Sequence, residues 1–371
     1  MKPKLLLLTR QLKGPEAVEG VSCELSTRLS VDYDVLTLSA PSRSTPLRIS
    51  LFAFGVLLRV LRGRLRTDLV LAGDPGLAPA GILAARLLGV PLVTAARDWD
   101  TVPDSWWNRK VLLSALRKSD GVLAADGGIA AGVRDVGMSP SKVKVLPFGI
   151  PLAPELLLLS RRDARESLAA MVGEPIHRRP LLLSFAVEGS DRELGLYFRD
   201  VFPKLVRQFP DLLHVVVGQS ERRNQIECAL PTGTLRKNLI FLEPYSRKFG
   251  VLLMRAANAL VLPRSGRMAL QANALGLPVV ASSDSAVAEL VIEGTNGVSA
   301  PLNDADAFFG QILFLLNRIR ERDWSVDCRD HVACEFSWER CLPKITQYLE
   351  VHRNSRFRVP GLLGLEARLK S

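Results

Sequence analysis

The sequence predicts an α/β protein built from two doubly wound parallel sheets in tandem, and three observations carry that expectation. Its strand candidates are short, continuous apolar runs without alternation, as expected of strands covered on both faces. Amphipathic stretches separate them, and the strand–helix rhythm restarts after a polar, charged segment at residues 160–179. At 371 residues the chain suits two domains of ordinary size better than one core.

KLLLLT (residues 4–9) opens the first half as a buried strand, followed by a helix over 18–29 and the strand YDVLTLS. DLVLAG (68–73) leads into a helix over 77–88, which Gly89 ends because glycine adopts a left-handed cap without steric cost. VPLVTAAR, KSDGVLAA (118–125) and KVKVLPFGI (142–150) complete the first set. In the second half RPLLLSFAV is a strand and 192–209 a helix; LLHVVVG (212–218), NLIFLEP, NALVLP and LPVVAS (277–282) are strands. NGVSAP opens with the tight-turn pair Asn296-Gly297, and helices fill 304–320 and 338–352. The expected division is a first domain at 1–155, a linker at 156–178, a second domain at 179–335, a helix at 336–352 and a basic tail at 353–371. A ligand is expected in the cleft between the two Rossmann-like domains, outside the carboxyl ends of the strands.

A hydrophobic content of 47% with 23% charged residues excludes a disordered or fibrous chain. The net charge of +11 favours anionic partners such as nucleotides and phospholipid head groups. Nucleic acid is not expected, because no recognition helix, zinc module or aromatic-basic platform accompanies the dispersed arginines. Five cysteines are too few and scattered for a disulfide framework. Cys328, Cys334 and Cys341 lie close together, but no histidine or acid completes a metal-ligand spacing, so thiols in a reducing compartment are expected, with no metal and no cofactor. The apolar run after the basic start is too short for a signal peptide, and nothing approaches the roughly 20 apolar residues of a spanning helix. A cytoplasmic location is therefore expected.

One segment departs from the scheme. RISLFAFGVLLRVLRGRLR (48–66) places nearly uninterrupted apolar residues at 49–58 before Arg59, Arg62, Arg64 and Arg66, with no acid until Asp68. Two readings stay open: a helix lying on the inner face of the plasma membrane with its arginines on anionic head groups, or a core helix whose cations favour its C-terminal dipole.

LVTAARDWD (92–100), SDGVLAAD, KVKVLPFGI, LLHVVVGQS, LIFLEP, ANALVLPRSGRMALQANALGLPVVAS, AELVIEGTNGVSAP and FSWERCLPKITQYLE occur in the order found in family-four glycosyltransferases. The chain resembles that family over nearly its whole length. The resemblance implies the GT-B fold: two Rossmann-like domains facing across a cleft, with a C-terminal helix returning to the N-terminal domain. It also implies transfer of a sugar from a nucleotide-diphospho-sugar on the C-terminal domain to a glycan or polyprenyl-linked acceptor on the N-terminal one. Such transfer retains the anomeric configuration, requires no metal and serves cell-surface polysaccharide synthesis.

The family's donor loop has the form P-S-x-x-E-x-F-G and leads into a helix ending E-A. By that pattern Gly266 matches the glycine at the helix start, and Gln271 takes the place of the second glutamate, which usually holds the ribose. The loop is about four residues short, so the first glutamate has no counterpart, Pro263 is what the spacing delivers, and no catalytic residue is assigned. The helix start at Ser265-Gly266 can direct amides at a phosphate, with Arg264 and Arg267 adding charge and Gln271 bonding a hydroxyl. A helix packed under the last strands without a ligand is the alternative. Phe185-Ala186 stand where the family has G-R, and the next lysine position falls at Arg192 or Glu193; Arg192 is the candidate for a bidentate phosphate contact. Glu289 is kept, with Ser285-Ala286 for the usual glycine pair. On the acceptor side Glu16-Ala17 replace a glycine pair, and the histidine position holds Arg97, followed by Asp98 as in a bacterial subgroup. Frame residues are present while charged ligands are altered. Two functions therefore stand: a transferase with a reshaped donor site, or an inactive GT-B protein acting as partner or nucleotide-binding subunit of a glycan-assembly complex.

Overall fold

The computed structural model describes residues 2–10, 19–40, 46–63, 66–96, 106–151, 158–186, 191–230, 235–243, 247–263, 265–321 and 323–355. The chain forms two units, residues 1–149 with 338–371, and residues 150–337.

In the first unit β1 (Lys4–Arg10), β2 (Asp34–Ala40), β3 (Leu69–Ala72), β4 (Leu92–Ala96), β5 (Gly121–Ala124) and β6 (Val143–Val145) pair in parallel, in the order β2-β1-β3-β4-β5-β6. The unbroken leucines of β1 have a simple cause. Leu5 and Leu7 pack with Leu25, Leu29, Ile345 and Leu349 on one face, while Leu6 and Leu8 meet Val56, Val60, Ala80 and Ala84 on the other. Neither face is wet, so neither calls for polar residues. The helix Ala78–Leu88 ends at Gly89 in the left-handed region (φ 67°), as the sequence predicts.

The last helix among the described residues, Trp338–Asn354, belongs to this first unit. Trp338 Nε1 donates to Glu24 Oε2 (3.2 Å), the Tyr33 hydroxyl to Glu350 Oε1 (2.6 Å) and the Tyr348 hydroxyl to the Lys142 carbonyl (2.8 Å). Buried Cys341, Ile345 and Leu349 supply its apolar face.

The second unit holds β7 (Leu181–Ala186), β8 (Leu213–Gly218), β9 (Leu239–Leu242), β10 (Ala259–Val261), β11 (Val279–Ser282) and β12 (Gly297–Ala300), all parallel, in the order β12-β11-β10-β7-β8-β9. Every strand sits where the sequence places one. The helices are less legible. Residues 160–178, expected as linker, carry the helix Arg161–Val172, with Ser160 accepting from the Asp163 amide as its cap and Ala164 and Leu168 fully buried against the second sheet. Five charged residues among its first six disguise that narrow apolar stripe. Further helices at Trp106–Arg117, Gly127–Asp135, Ser220–Ala229, Arg247–Ala256 and Trp324–Glu335 also go beyond the expected set. The stretch expected as one helix over 192–209 is interrupted by a π-turn at Tyr197–Val201, where the Phe202 amide reaches back to the Tyr197 carbonyl. Pro203 comes next and, having no N–H, cannot continue the ordinary ladder.

Candidate functional site

In the second sheet the strand order reverses direction between β7 and β10. At such a switch point successive helices leave on opposite faces, and a crevice opens outside the carboxyl ends of the two strands. The residues just beyond those strand ends are therefore the candidate site.

β10 ends in an unusual residue. Leu262 is buried and takes φ 51°, a left-handed conformation that a branched side chain rarely adopts. Soon after it, the Ser265 hydroxyl accepts from the Met268 amide (3.3 Å) and caps the helix Gly266–Ala274. Gly266 is buried as the first residue of that helix, and no acid occupies the first turn, so the positive end of the helix is not neutralised from within. Arg267 and Gln271 are half-buried, and the Gln271 amide makes no hydrogen bond to another described residue.

The strand ends are held by a polar chain inside the sheet. Ser184 Oγ donates to the Val261 carbonyl (2.9 Å), just beyond the last β7–β10 pair, Leu183 with Leu260. His214 Nε2 lies 3.0 Å from Ser184 Oγ, and Tyr197 Oη lies 3.1 Å from His214 Nδ1. Since the serine proton is committed to Val261, Nε2–H donates to Ser184, and on a neutral imidazole Nδ1 then accepts from the tyrosine hydroxyl. Burial agrees, pushing the His214 pKa down to about 3.

Beyond β11 the chain forms a short 3-10 turn, Ala286–Leu290, against the helix Gly266–Ala274. It carries exposed Glu289 and is anchored by buried Val287. A second buried pair fixes the two elements: Asn273 Nδ2 donates to the Leu277 and Asn296 carbonyls, and Asn296 Nδ2 donates to Asn273 Oδ1 and the Leu290 carbonyl. After β7, Arg192 lies exposed in the first turn of the helix Asp191–Leu196. Thus Arg192, the run from Ser265 to Gln271 and Glu289 come after β7, β10 and β11, three adjacent parallel strands, at one carboxyl edge. Arg264 lies outside the described residues.

In the first unit the order β2-β1-β3 places the switch point between β1 and β3. There Arg10 Nε donates to Asp74 Oδ2 (3.1 Å) in a nearly buried ion pair, while Asp74 Oδ1 is buried without a hydrogen bond to any described residue. Gly76 makes room for it, since a Cβ there would collide with Arg10 Nη2. Arg97 and Asp98, next after β4, lie outside the described residues, as do Glu16, Ala17 and residues 356–371.

The helix Pro46–Leu61 divides its apolar residues between two faces. Phe52, Val56 and Val60 join the core beside the helix Ala78–Leu88, while Leu51, Phe54 and Leu61, spaced as one helical face, are more than half exposed. Arg59, Arg62 and Arg66 are exposed nearby, and Arg64 lies outside the described residues. No described helix is long and apolar enough to cross a membrane.

Sequence reasoning missed the Ser184–His214–Tyr197 chain, the asparagine pair and the Arg10–Asp74 pair. The available signal was a lone polar residue in an apolar run, as in LLHVVVG and LLLSFA.

Residues 7–153 match the model of the Glycosyltransferase Family 4 group, and residues 197–325 match Glycosyl transferases group 1. Among curated relatives, the Escherichia coli UDP-Gal:alpha-D-GlcNAc-diphosphoundecaprenol alpha-1,3-galactosyltransferase is 22% identical over 220 residues, 57% of this chain and 55% of that protein. The phosphatidyl-myo-inositol mannosyltransferase of Mycolicibacterium smegmatis is 29% identical over 143 residues, 33% of this chain and 36% of that one. The chain thus spans about half the length, or less, of the curated relatives it matches. Among solved structures, Anabaena HepE in complex with UDP superposes with a TM-score of 0.69 at 15% identity, covering 94% of this chain and 100% of that one. The catalytic domain of starch synthase IV from Arabidopsis thaliana, bound to ADP and acarbose, gives 0.72 at 11% identity, covering 95% and 100%. With one family model on each half of the chain and this fold throughout, the chain belongs to the family-four glycosyltransferases of GT-B fold.

Proposed function

We propose that the chain moves a sugar from a nucleotide-diphospho-sugar to a glycan or polyprenyl-linked acceptor in cell-surface polysaccharide synthesis, with retention at the anomeric carbon and without a metal. The observation that carries this reading is the placement of Arg192, Ser265–Gln271 and Glu289 after three adjacent strands at one switch point. In the transfer, the bond from the anomeric carbon to the diphosphate breaks and one to the acceptor oxygen forms on the same face. The acceptor's proton leaves with the diphosphate. Charge then grows on the leaving group, where the capped helix start and the guanidinium groups of Arg192, Arg264 and Arg267 stabilise it. Gln271 bonds the ribose and Glu289 accepts from donor hydroxyls. The names of the Escherichia coli relative and the HepE complexes with UDP and UDP-glucose favour a UDP-linked hexose.

On the acceptor side we assign Arg97 and Asp98. The exposed Leu51, Phe54 and Leu61 with Arg59, Arg62, Arg64 and Arg66 serve as a contact to an anionic membrane surface, placing the protein peripherally on the cytoplasmic face.

The test is release of UDP from a panel of UDP-sugars by the full chain, with an undecaprenyl-diphosphate saccharide as acceptor. Arg192→Ala and Gln271→Ala should each lower it, a chelator should leave the rate unchanged, and product NMR should show retention. Donor binding without turnover would favour the nucleotide-binding partner instead, and neither binding nor turnover would overturn both.

A further inference from the structure

The second unit's sheet has another charged concavity, at its opposite edge. Arg179 and Pro180 precede β7 and Asn258 precedes β10, so this is the amino edge, away from the ends that carry Arg192 and Gly266. The cavity measures about 590 Å³ and is lined by four arginines, Arg161, Arg162, Arg165 and Arg178, against one carboxylate, Glu166.

The arginines differ in role. Arg165 is fastened to the fold: Nε donates to the Ala256 carbonyl (2.8 Å), Nη1 to the carbonyls of His177 (3.0 Å) and Arg179 (3.1 Å), and Nη2 to Asn258 Oδ1 (2.7 Å). Asn258 Oδ1 also accepts from the Leu181 amide (2.8 Å), tying this guanidinium to the start of β7. Arg165 therefore brings charge without a counter-charge, since all its acceptors are neutral. Glu166 is already engaged by Arg162 (2.9 Å). Neither Arg161 nor Arg178 forms a direct ion pair with a described residue, although the Asp323 carboxylate acts on Arg161 from a greater distance.

The arrangement has an electrostatic cost. Burial lowers the pKa of Arg161, and burial together with the Arg161 charge lowers Arg165 to about 10. Arg255 is lowered by burial and then by the charges of Arg161 and Arg329, with Asp323 partly opposing the shift. Arg161 and Arg162 also occupy the first turn of their helix, where the dipole disfavours cations. Asp323 offsets part of the charge at Arg161 and Arg255, and Glu166 is taken by Arg162, but four lining arginines still outnumber the acids, and such an excess concentrates anions there.

We infer that this amino-edge cavity binds a phosphate-bearing anion, with Arg161 and Arg178 as its ligands and Arg165 as its charged floor, separately from any nucleotide at the carboxyl edge. The planar guanidinium fork matches phosphate oxygens in pairs, and two such groups suit a diphosphate or a phospholipid head group.

Inorganic diphosphate titrated calorimetrically into the full chain reads the site. Arg161→Gln with Arg178→Gln should weaken binding at least about tenfold, the loss of one charge-assisted contact, whereas Arg192→Ala should leave this binding in place. The single Arg178→Gln change, on an exposed side chain, guards against misfolding and should weaken binding in the same direction. If diphosphate does not bind but Arg178→Gln lowers sedimentation with phosphatidylcholine–phosphatidylglycerol vesicles, the anion is a lipid head group. Diphosphate binding abolished by Arg192→Ala alone, or no change in either assay for the Arg161 and Arg178 variants, overturns the inference while leaving the transferase reading to its own test.

Discussion

Asn273 and Asn296 hold each other in the dry interior of the second unit: Asn296 Nδ2 donates to Asn273 Oδ1 across 3.2 Å, and Asn273 Nδ2 donates back to the Asn296 carbonyl across 2.9 Å. Both residues are at most 1% exposed. Asn296 Oδ1 also accepts from the Ile292 amide (2.7 Å), so the pair pins the Glu289 turn to the helix that begins at Gly266.

Removing either amide leaves partners without a hydrogen bond, some of them inside the fold. Asn296→Ala leaves the Ile292 N–H, the Leu290 carbonyl and Asn273 Oδ1 without it, and should cost roughly 3 kcal/mol. Asn273→Ala should behave similarly, and the double variant should cost less than the two singles together by about 1 kcal/mol or more. Urea unfolding of the four proteins measures this; strict additivity would show that the asparagines act independently.

His214 makes stability depend on pH. Its folded pKa is depressed to about 3 from an ordinary 6.5. Below pH 6.5 the unfolded chain takes up a proton that the folded chain refuses, so this contribution is complete above that value and lost as pH falls towards 3. The slope is about 1.4 kcal/mol per pH unit. Between pH 6.5 and pH 5 the parent should lose about 2 kcal/mol more stability than His214→Gln. Parallel losses in the two proteins would show that the imidazole is not buried neutral.

Two glycines should respond to alanine with opposite signs. At Gly149 a Cβ would lie 2.5 Å from Trp338 Cδ2 and 2.6 Å from its Cα, and backbone cannot step aside easily. Gly149→Ala should destabilise by about 1–3 kcal/mol. Gly310, inside the helix Ala305–Glu321, has nothing within 4 Å of its added Cβ, and Gly310→Ala should stabilise by about 0.5–1 kcal/mol. Thermal melts decide it, and equal shifts would contradict the packing at Trp338.

The outer face of the helix Pro46–Leu61 should matter to membranes and little to folding. Each exposed arginine near an anionic surface contributes about 1 kcal/mol, so Arg59→Ala with Arg62→Ala should lower vesicle affinity roughly thirtyfold. Phe54→Ser should lower it at high salt as well, because its contribution is not ionic. Unchanged co-sedimentation of these variants with anionic vesicles would reject the surface.

The strands, the α/β class and the two-part organisation were legible because a strand covered on both faces must be apolar along its length, a local property. Leu5 to Leu8 announce β1 without reference to anything else in the chain. The helix start at Gly266 was legible too, since Ser265 is a cap residue between a buried strand and an apolar periodicity. The helix Arg161–Val172 was not, because among its apolar residues only Ala164 and Leu168 are fully buried and the charged remainder reads as a solvated connector.

Strand order is another matter: β7 lies beside β10 rather than β9 because of pairings between residues some 77 apart in the chain, as Ser184 and Val261 illustrate. The sequence by itself therefore determined which segments would be strands, and which residues would sit at their ends, from the polarity each segment could tolerate. Only the tertiary structure decided that Arg192, Gly266 and Glu289 share one edge, that His214 is a neutral link in a hydrogen-bonded chain, and that four arginines meet at the other edge. Those facts depend on which strands become neighbours, and long-range pairing leaves no local trace in composition or periodicity.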